Sequence, residues 1–408
     1  MSNVHFHIFV YYYGTTTLSG SRRWREMSGL LAKHGKVTVY CADGPGEEAP
    51  RQVTVQHIPD GPSGQAGTEF AGRSQRSPFI QKLQKIAASI LFWPDRQKVW
   101  AKGVVTEMAK NFGSEQRNIV ISSGPIFSVH SEMCRWVRQN LGQVEWVMDF
   151  RDLWTNEIAP GLERRVPAFL TNFEKKIEQR CHDTADVVTA VGEGLRDLIR
   201  QDFGSHPVVL YNGYLEKDCV KASTSDTPKP VSLRYLGTII PGLRSPALLF
   251  EAAAKLKLSK SQLIFEFWCN DSTRVLNEAE KYGVEELVKC HKAVPGQEAR
   301  ELSKTAGANL ILNALIPEAN QVVTGKVFEL MTTQRPVITI TGQDSELRKI
   351  LASCGIHQCV WDLDTACHIL EASLDGSLPY LEDKSRRFSR ESAAENLLRE
   401  LNLTTEEY

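Results

Sequence analysis

SLRYLGTIIPGLRSPALLFEAAAKLKL, residues 232–258, holds the fold in miniature. SLRYLGTI reads as a short strand, a turn follows through Gly237 and Thr238, and SPALLFEAAAKLKL sets apolar residues at helical spacing. The same beat runs on: LIFEFWC, STRVLNEAEKYG, VKCHKAV, QEARELSKTAG, ANLILNALI, VFELMTT, RPVITIT, SELRKILASCG, HQCVWD and TACHILEASL read alternately as strand and helix. The strands are short and nearly continuously apolar, as strands covered on both faces must be. The pattern predicts an α/β fold with a doubly wound, Rossmann-like parallel sheet.

The amino-terminal half carries the same alternation with longer insertions. VHFHIFVYY, VTVYCA, NIVISSG, VEWVMDF, ADVVTAV and PVVLYNG are strand candidates; SRRWREMSGLLAKHG, FSVHSEMCRWVRQNLG, AFLTNFEKKIEQRC and EGLRDLIRQDFG are helix candidates. PDGPSGQAGTEFAGRSQRSP (59–78) predicts a surface loop and STSDTPKP (223–230) a linker. At 408 residues the chain is too long for one core. Two Rossmann-like domains are expected, 1–213 and 214–383, with a last helix near 384–401 and the tail to 408 returning to the first. Facing one another, they would form a cleft between the carboxyl ends of two sheets.

Charge is balanced, 48 basic against 49 acidic residues, which argues against a partner bound through overall phosphate neutralisation, such as nucleic acid. Nothing approaches the apolar length of a membrane span, and MSNVHFHIFVYYYG reads as a core strand rather than a leader. The nine cysteines form no C-x-x-C, so free thiols in a reducing cytosol are expected, and Cys354, His357, Cys359 and Cys367 read as core residues in preference to a metal site.

Three groups in the second half suit an anionic ligand. Glycine at position 237 lets backbone amides approach closely, and Arg244 stands just ahead of the next helix. In TGKVFELM (324–331), Lys326 and Glu329 share a helix face. A surface ion pair worth roughly 0.2–0.5 kcal/mol explains that spacing. So does a clamp in which Lys326 meets phosphate and Glu329 accepts from a sugar diol. A nucleobase is expected at backbone near Ala293 and Val294.

YLGTIIPGLRSPALLFEA, TGKVFELMTTQRPVI, FWPDRQKVW, SSGPIFSVHSEM, WVMDFRDLWTNE and LYNGYLEKD together resemble stretches of bacterial glycosyltransferases of family 4, which have the GT-B fold. The resemblance implies a nucleoside-diphosphate sugar bound by the second domain, an acceptor on the first, and retention of anomeric configuration. It maps phosphate and ribose contacts onto Lys326 and Glu329, and the glycine-rich turn onto Gly237 and Thr238. One departure stands out: many members carry E-x7-E, and Gln321 occupies the first position here, with Glu318 nearby. The resemblance also points to His130 near the reacting sugar.

Asp152 follows a strand in WVMDFRDLW, within reach of sugar hydroxyls; an internal Arg–Asp network among Asp149, Arg151 and Asp152 explains the same residues. Asp362 and Asp364 form a D-x-D read as a helix cap, and no metal or other cofactor is expected. FIQKLQKIAASILFW (79–93) reads as a packed amphipathic helix, or as a peripheral contact with the inner face of the cell membrane that receives a lipid-linked acceptor. The leading expectation is a retaining, metal-independent hexosyl-type transferase in surface polysaccharide, glycolipid or glycoconjugate synthesis. A non-catalytic transferase-like subunit, favoured by Gln321, and a sugar-nucleotide epimerase are the alternatives.

Overall fold

The computed structural model describes residues 3–14, 19–44, 46, 49–60, 95–113, 115–155, 168–220 and 229–403. Most of the expected 59–78 loop, the 79–93 helix and most of the 223–230 linker lie outside the described residues. The chain divides into two compact units, Met1–Tyr211 with Arg390–Tyr408, and Asn212–Ser389.

In the first unit the elements run β1 (Val4–Phe9), α1 (Ser19–Leu31), β2 (Lys36–Cys41), β3 (Val53–His57), α2 (Lys98–Lys110), β4 (Arg117–Ser123), α3 (Ser128–Gln139), β5 (Glu145–Phe150), α4 (Ala168–Thr184), β6 (Val187–Ala190), α5 (Glu193–Phe203) and β7 (Val208–Val209). The seven strands are parallel in the order β3-β2-β1-β4-β5-β6-β7. Successive residues of β4 and β5 enter opposite cores: Val120, Trp146 and Met148 pack on one face, Ile119, Ile121 and Val147 on the other. That double burial is why the middles of these strands read as apolar runs. Sequence reading missed β3 and α2. β3 is a short strand with a half-polar pattern, and α2 is interrupted by Gly103 and rich in β-branched residues, although Trp100, Ala101, Val104, Val105 and Met108 are buried along it.

The second unit runs β8 (Val231–Gly237), α6 (Ala247–Lys255), β9 (Leu263–Cys269), α7 (Ser272–Tyr282), β10 (Val288–Lys292), α8 (Gly296–Lys304), β11 (Ala308–Leu312), α9 (Lys326–Met331), β12 (Val337–Ile340), α10 (Glu346–Ser353) and α11 (Leu363–Asp375). Its five parallel strands lie in the order β10-β9-β8-β11-β12. HQCVWD is not a sixth strand; it makes one parallel bridge, Ile340 to Val360. The reason is the start of α11, where the amides of Trp361 and Asp362 already turn to Thr365 Oγ1. Asp362 caps that helix, accepting from Thr365 N at 2.8 Å, and Asp364 pairs with Lys255 at 3.1 Å.

α12 (Arg390–Glu400) belongs to the first unit and starts later than the expected 384. Ala393, Ala394, Leu397 and Leu398 recur at helical spacing and enter the core formed by Trp24, Met27 and Leu31 of α1. Each buried leucine contributes roughly 1.5–3 kcal/mol.

Candidate functional site

In the second sheet the order reverses between β8 and β11, with β9 and β10 to one side and β12 to the other. Ligands of doubly wound sheets gather beyond the carboxyl ends of the strands at such a switch point. Gly237, the last residue of β8, meets the side chain of Lys326, the first residue of α9, at this place.

The Lys326 ammonium reaches back over the strand end. It donates to the Leu236 carbonyl and lies 4.4 Å from the centre of the Tyr235 ring. A Cβ at position 237 would collide with that ammonium and stand 3.2 Å from Tyr235 Oη, so the cation occupies the volume a side chain would need. Burial pulls Lys326 down to about 8; Glu329 opposes this, and Arg244 reinforces it.

The turn after β8 is held by its own polar groups. The Thr238 carbonyl accepts from Tyr235 Oη at 2.8 Å and from an Arg244 guanidinium nitrogen at 3.3 Å. Ile239 N donates to Asn270 Oδ1 at 2.8 Å. Burial raises the Tyr235 phenol and the neighbouring Arg244 charge offsets part of that rise. Gly237, Thr238, Arg244 and Lys326 are thus one constellation. Glu329 joins it through its charge on Lys326 and through a cavity of about 30 Å³ that both line together with Arg234 and Arg300. That volume suits a water molecule, not a nucleoside. Thr238, exposed at the strand end, marks the side a larger ligand reaches.

Val294 stands apart from this group. It is half-buried in the loop after β10, the edge strand, with β9 lying between β10 and β8. Gln321 and Glu318 are exposed on the segment joining β11 to α9. Sequence reading missed Tyr235 and Arg300. Tyr235 had a signal, since residues two apart on a strand share a face, which puts its ring beside the empty side-chain position of Gly237. Arg300, on α8, had none.

In the first unit, the carboxyl ends of β4, β5 and β6 surround Asp149. Its carboxylate accepts from Arg23 at 3.0 and 3.1 Å, Ser123 Oγ at 2.7 Å, Thr189 Oγ1 at 2.7 Å and Trp24 Nε1 at 3.2 Å. Burial pushes this carboxyl up, but Arg23 and the two hydroxyls outweigh it and hold it below the usual range. An internal Arg–Asp network does exist here, yet its arginine is Arg23 from α1, not Arg151. Burial lowers Arg151, with Arg23 acting in the same direction. Asp152 is exposed just beyond β5. The loop carrying it is tied to α4, with Trp154 Nε1 donating to Glu174 at 2.7 Å and Thr155 Oγ1 to Glu178 at 2.5 Å.

His130 is fully enclosed. Ser122 Oγ accepts from Trp146 Nε1 at 2.8 Å and so turns its single proton to His130 Nδ1, also at 2.8 Å. The ring is then neutral with its proton on Nε2, which has no partner among the described residues and lies behind Gly124. Burial lowers its pKa to about 3. The ring is thus enclosed between Ser122 of β4 and Phe150 of β5, whereas Asp152, the other first-domain candidate, is exposed. Among the described residues, no three His, Cys, Asp or Glu side chains are grouped to hold a metal, and no helix is long and apolar enough to cross a membrane.

No protein-family model and no curated protein sequence matches this chain. Solved structures do. A lipopolysaccharide outer core galactosyltransferase, WaaB, in its apo form superposes with a TM-score of 0.60 at 14% identity, covering 98% of this chain and 99% of that one. Sucrose-phosphate synthase from Thermosynechococcus elongatus gives 0.63 at 12% identity, covering 98% and 100%. A G117R mutant of S. aureus TarM in complex with fondaparinux, alpha-GlcNAc-glycerol and UDP gives 0.59 at 8% identity, covering 98% and 99%. Over nearly its whole length, this chain has the two parallel-sheet domains of GT-B glycosyltransferases.

Proposed function

We propose that this protein transfers a sugar from a nucleoside-diphosphate sugar to an acceptor hydroxyl, with retention of anomeric configuration and without a metal. The observation that carries the reading is Lys326, a partly desolvated cation fixed at the switch point of the second sheet with Arg244 beside the same turn. A diphosphate there would replace the water that burial has removed from the ammonium. Negative charge grows on the diphosphate as the glycosidic bond breaks, so the same two cations would stabilise the departing group. Glu329, next along the helix face, would accept from the ribose diol, and Val294 would mark the nucleobase end. The UDP in the TarM complex supports this class of donor. On this reading the first unit takes a carbohydrate, glycolipid or glycoconjugate acceptor, with Asp152 the carboxylate in reach of its hydroxyls. The setting is cytoplasmic synthesis of a surface glycan, peripheral to the membrane.

A screen of sugar nucleotides and free nucleoside diphosphates by thermal shift tests the donor half of the reading. Selective stabilisation by one diphosphate, lost in Lys326→Met, is the expected result. A second reading, a binding subunit without turnover, rests on Gln321 standing exposed where the related motif has a glutamate. Release of nucleoside diphosphate from the stabilising donor separates the two: slow hydrolysis supports the enzyme, while binding with no release under any acceptor supports the subunit.

A further inference from the structure

In the first unit α3 packs against α2 on one side and α4 on the other, and residues of all three helices line a groove of about 760 Å³. Ligand sites commonly measure roughly 300–1,000 Å³. Helical spacing builds its walls. On α3, Met133 and Val137 are buried, while Arg135 and Arg138 stand exposed along the groove. On α4, Glu174, Glu178 and Cys181 are buried, and the residues just before each of them, Phe173, Ile177 and Arg180, share the adjoining stripe and line the groove. Lys98, the first residue of α2, and Trp154, from the loop that bears Asp152, belong to the same lining.

Four cations thus face the groove against one carboxylate, Glu132. Arg135 pairs with Glu132 at 2.6 Å, whereas neither Arg138 nor Arg180 has an ion-pair partner among the described residues. The whole chain carries a net charge of only -1, so this positive excess is local, and a concave wall concentrates its field on an anion. The apolar part of the lining is aromatic: Phe173 is 52% exposed. A ring open on one face suits the C–H face of a sugar. Seven residues separate Phe173 from Arg180, about 10 Å along α4, so a single small anion cannot meet both. The occupant that fits is extended, carries negative charge along its length and offers a flat C–H face.

We propose that this groove binds an anionic oligosaccharide, a sugar chain bearing phosphate, sulfate or carboxylate groups, with Arg138 and Arg180 meeting its charges and Phe173 lying against a sugar face. The bound chain passes Trp154 towards Asp152, two residues earlier in a loop that α4 itself holds through Glu174 and Glu178. The groove therefore takes the part of an acceptor that lies beyond the reacting hydroxyl. This deepens the acceptor half of the proposed function and rests on that reading for the term acceptor; the affinity of the groove for an anionic sugar chain does not. An extended chain can enter a recess between helices, whereas a bilayer meets a protein across an outward-facing surface, so the oligosaccharide is the better fit to these cations.

The test titrates a fluorescently labelled, heparin-derived sulfated hexasaccharide with the full chain, without nucleotide, and reads polarisation. Saturable binding that weakens with added salt is expected, and neutral maltohexaose is expected not to compete. The double variant Arg138→Gln, Arg180→Gln is expected to bind roughly tenfold more weakly and with a shallower salt dependence. Phe173→Ala is expected to weaken binding and keep the wild-type salt dependence. Lys260→Gln, an exposed charge on the second unit, is expected to change nothing. Thermal melting confirms that each variant is folded. Wild-type affinity in the double variant would overturn the proposal, as would an equal loss in Lys260→Gln. So would complete displacement by equimolar inorganic phosphate, which marks a free-anion site, or arginine-dependent capture by phosphatidylglycerol vesicles with no hexasaccharide bound, which marks a membrane face. Hexasaccharide binding in a protein that no nucleoside diphosphate stabilises would remove the donor reading and keep the groove; diphosphate stabilisation without hexasaccharide binding would remove the groove and keep the donor reading.

Discussion

Replacing Lys326 by methionine keeps a long, unbranched side chain and removes the charge. Burial pulls this ammonium down to about 8 from the ordinary lysine value of 10.5. The difference corresponds to at most about 3 kcal/mol of unfavourable interaction in the charged form. The sign follows from proton counts. Between pH 8 and 10.5 the unfolded chain holds this proton and the folded chain has released it, so the unfolded state binds more protons and stability rises with pH across that window. Below pH 8 both states are charged and the whole cost is present; above 10.5 both are neutral and the cost is gone. Urea unfolding of wild type and Lys326→Met at pH 7 and at pH 10 separates this group from every other that titrates. The stability difference between the two proteins is expected to move by about 2–3 kcal/mol in favour of wild type on going to the higher pH. The same reasoning predicts that a nucleoside diphosphate binding at pH 8.5 takes up a proton, seen as a dependence of calorimetric enthalpy on the ionisation enthalpy of the buffer. If wild type and variant give parallel stability curves, the ammonium is not desolvated and the account of Gly237, Tyr235 and Lys326 is wrong.

Gly237→Ala puts a methyl group against the Lys326 ammonium, so a donor affinity loss of roughly tenfold or more is expected by calorimetry, with little change in secondary structure by circular dichroism. Glu329→Gln keeps the shape and removes the carboxylate; it is expected to weaken a ribonucleotide by about 1–2 kcal/mol and to spare inorganic diphosphate, which has no diol. Asp149→Asn leaves Arg23 buried without its carboxylate and is expected to cost about 3–5 kcal/mol in urea unfolding. Leu397→Ala opens a cavity between α12 and α1, and a loss of about 2–5 kcal/mol is expected.

The architecture was legible because its determinants are local. In the second unit β9, β11 and β12 are largely apolar runs, β8 alternates, and each helix carries its own periodicity, so β8 through α11 can be read a dozen residues at a time. The failures are local as well. β3 and α2 fell below notice because VTVQH is short and half-polar and Gly103 interrupts the helix signal; HQCVWD looked like a strand because nothing in its six residues shows that the α11 cap claims its last amides.

The polar centres follow a different logic, because their partners lie far apart in sequence. WVMDFRDLW offers Asp149 an arginine two residues away, yet the guanidinium that folds against it comes from Arg23, 126 positions earlier. Burial decides between such candidates: β5 alternates faces, so Asp149 is fixed inside with α1 above it, whereas Arg151 follows the strand end and stays half-buried. His130 follows the same rule, since its position opens α3 against Trp146 and Phe150 and its ring is closed in by the core that orders the strands. At the second switch point the rule gives the opposite result. Gly237 has no side chain to close the strand end, Tyr235 two residues back supplies a ring, and a lysine from a helix 89 positions later fills the gap with charge. A core residue in that gap would have been cheaper for the fold by the energy that Lys326 loses through desolvation. The placement therefore favours a ligand that supplies negative charge there, and this is the physical basis for proposing a diphosphate at that strand end.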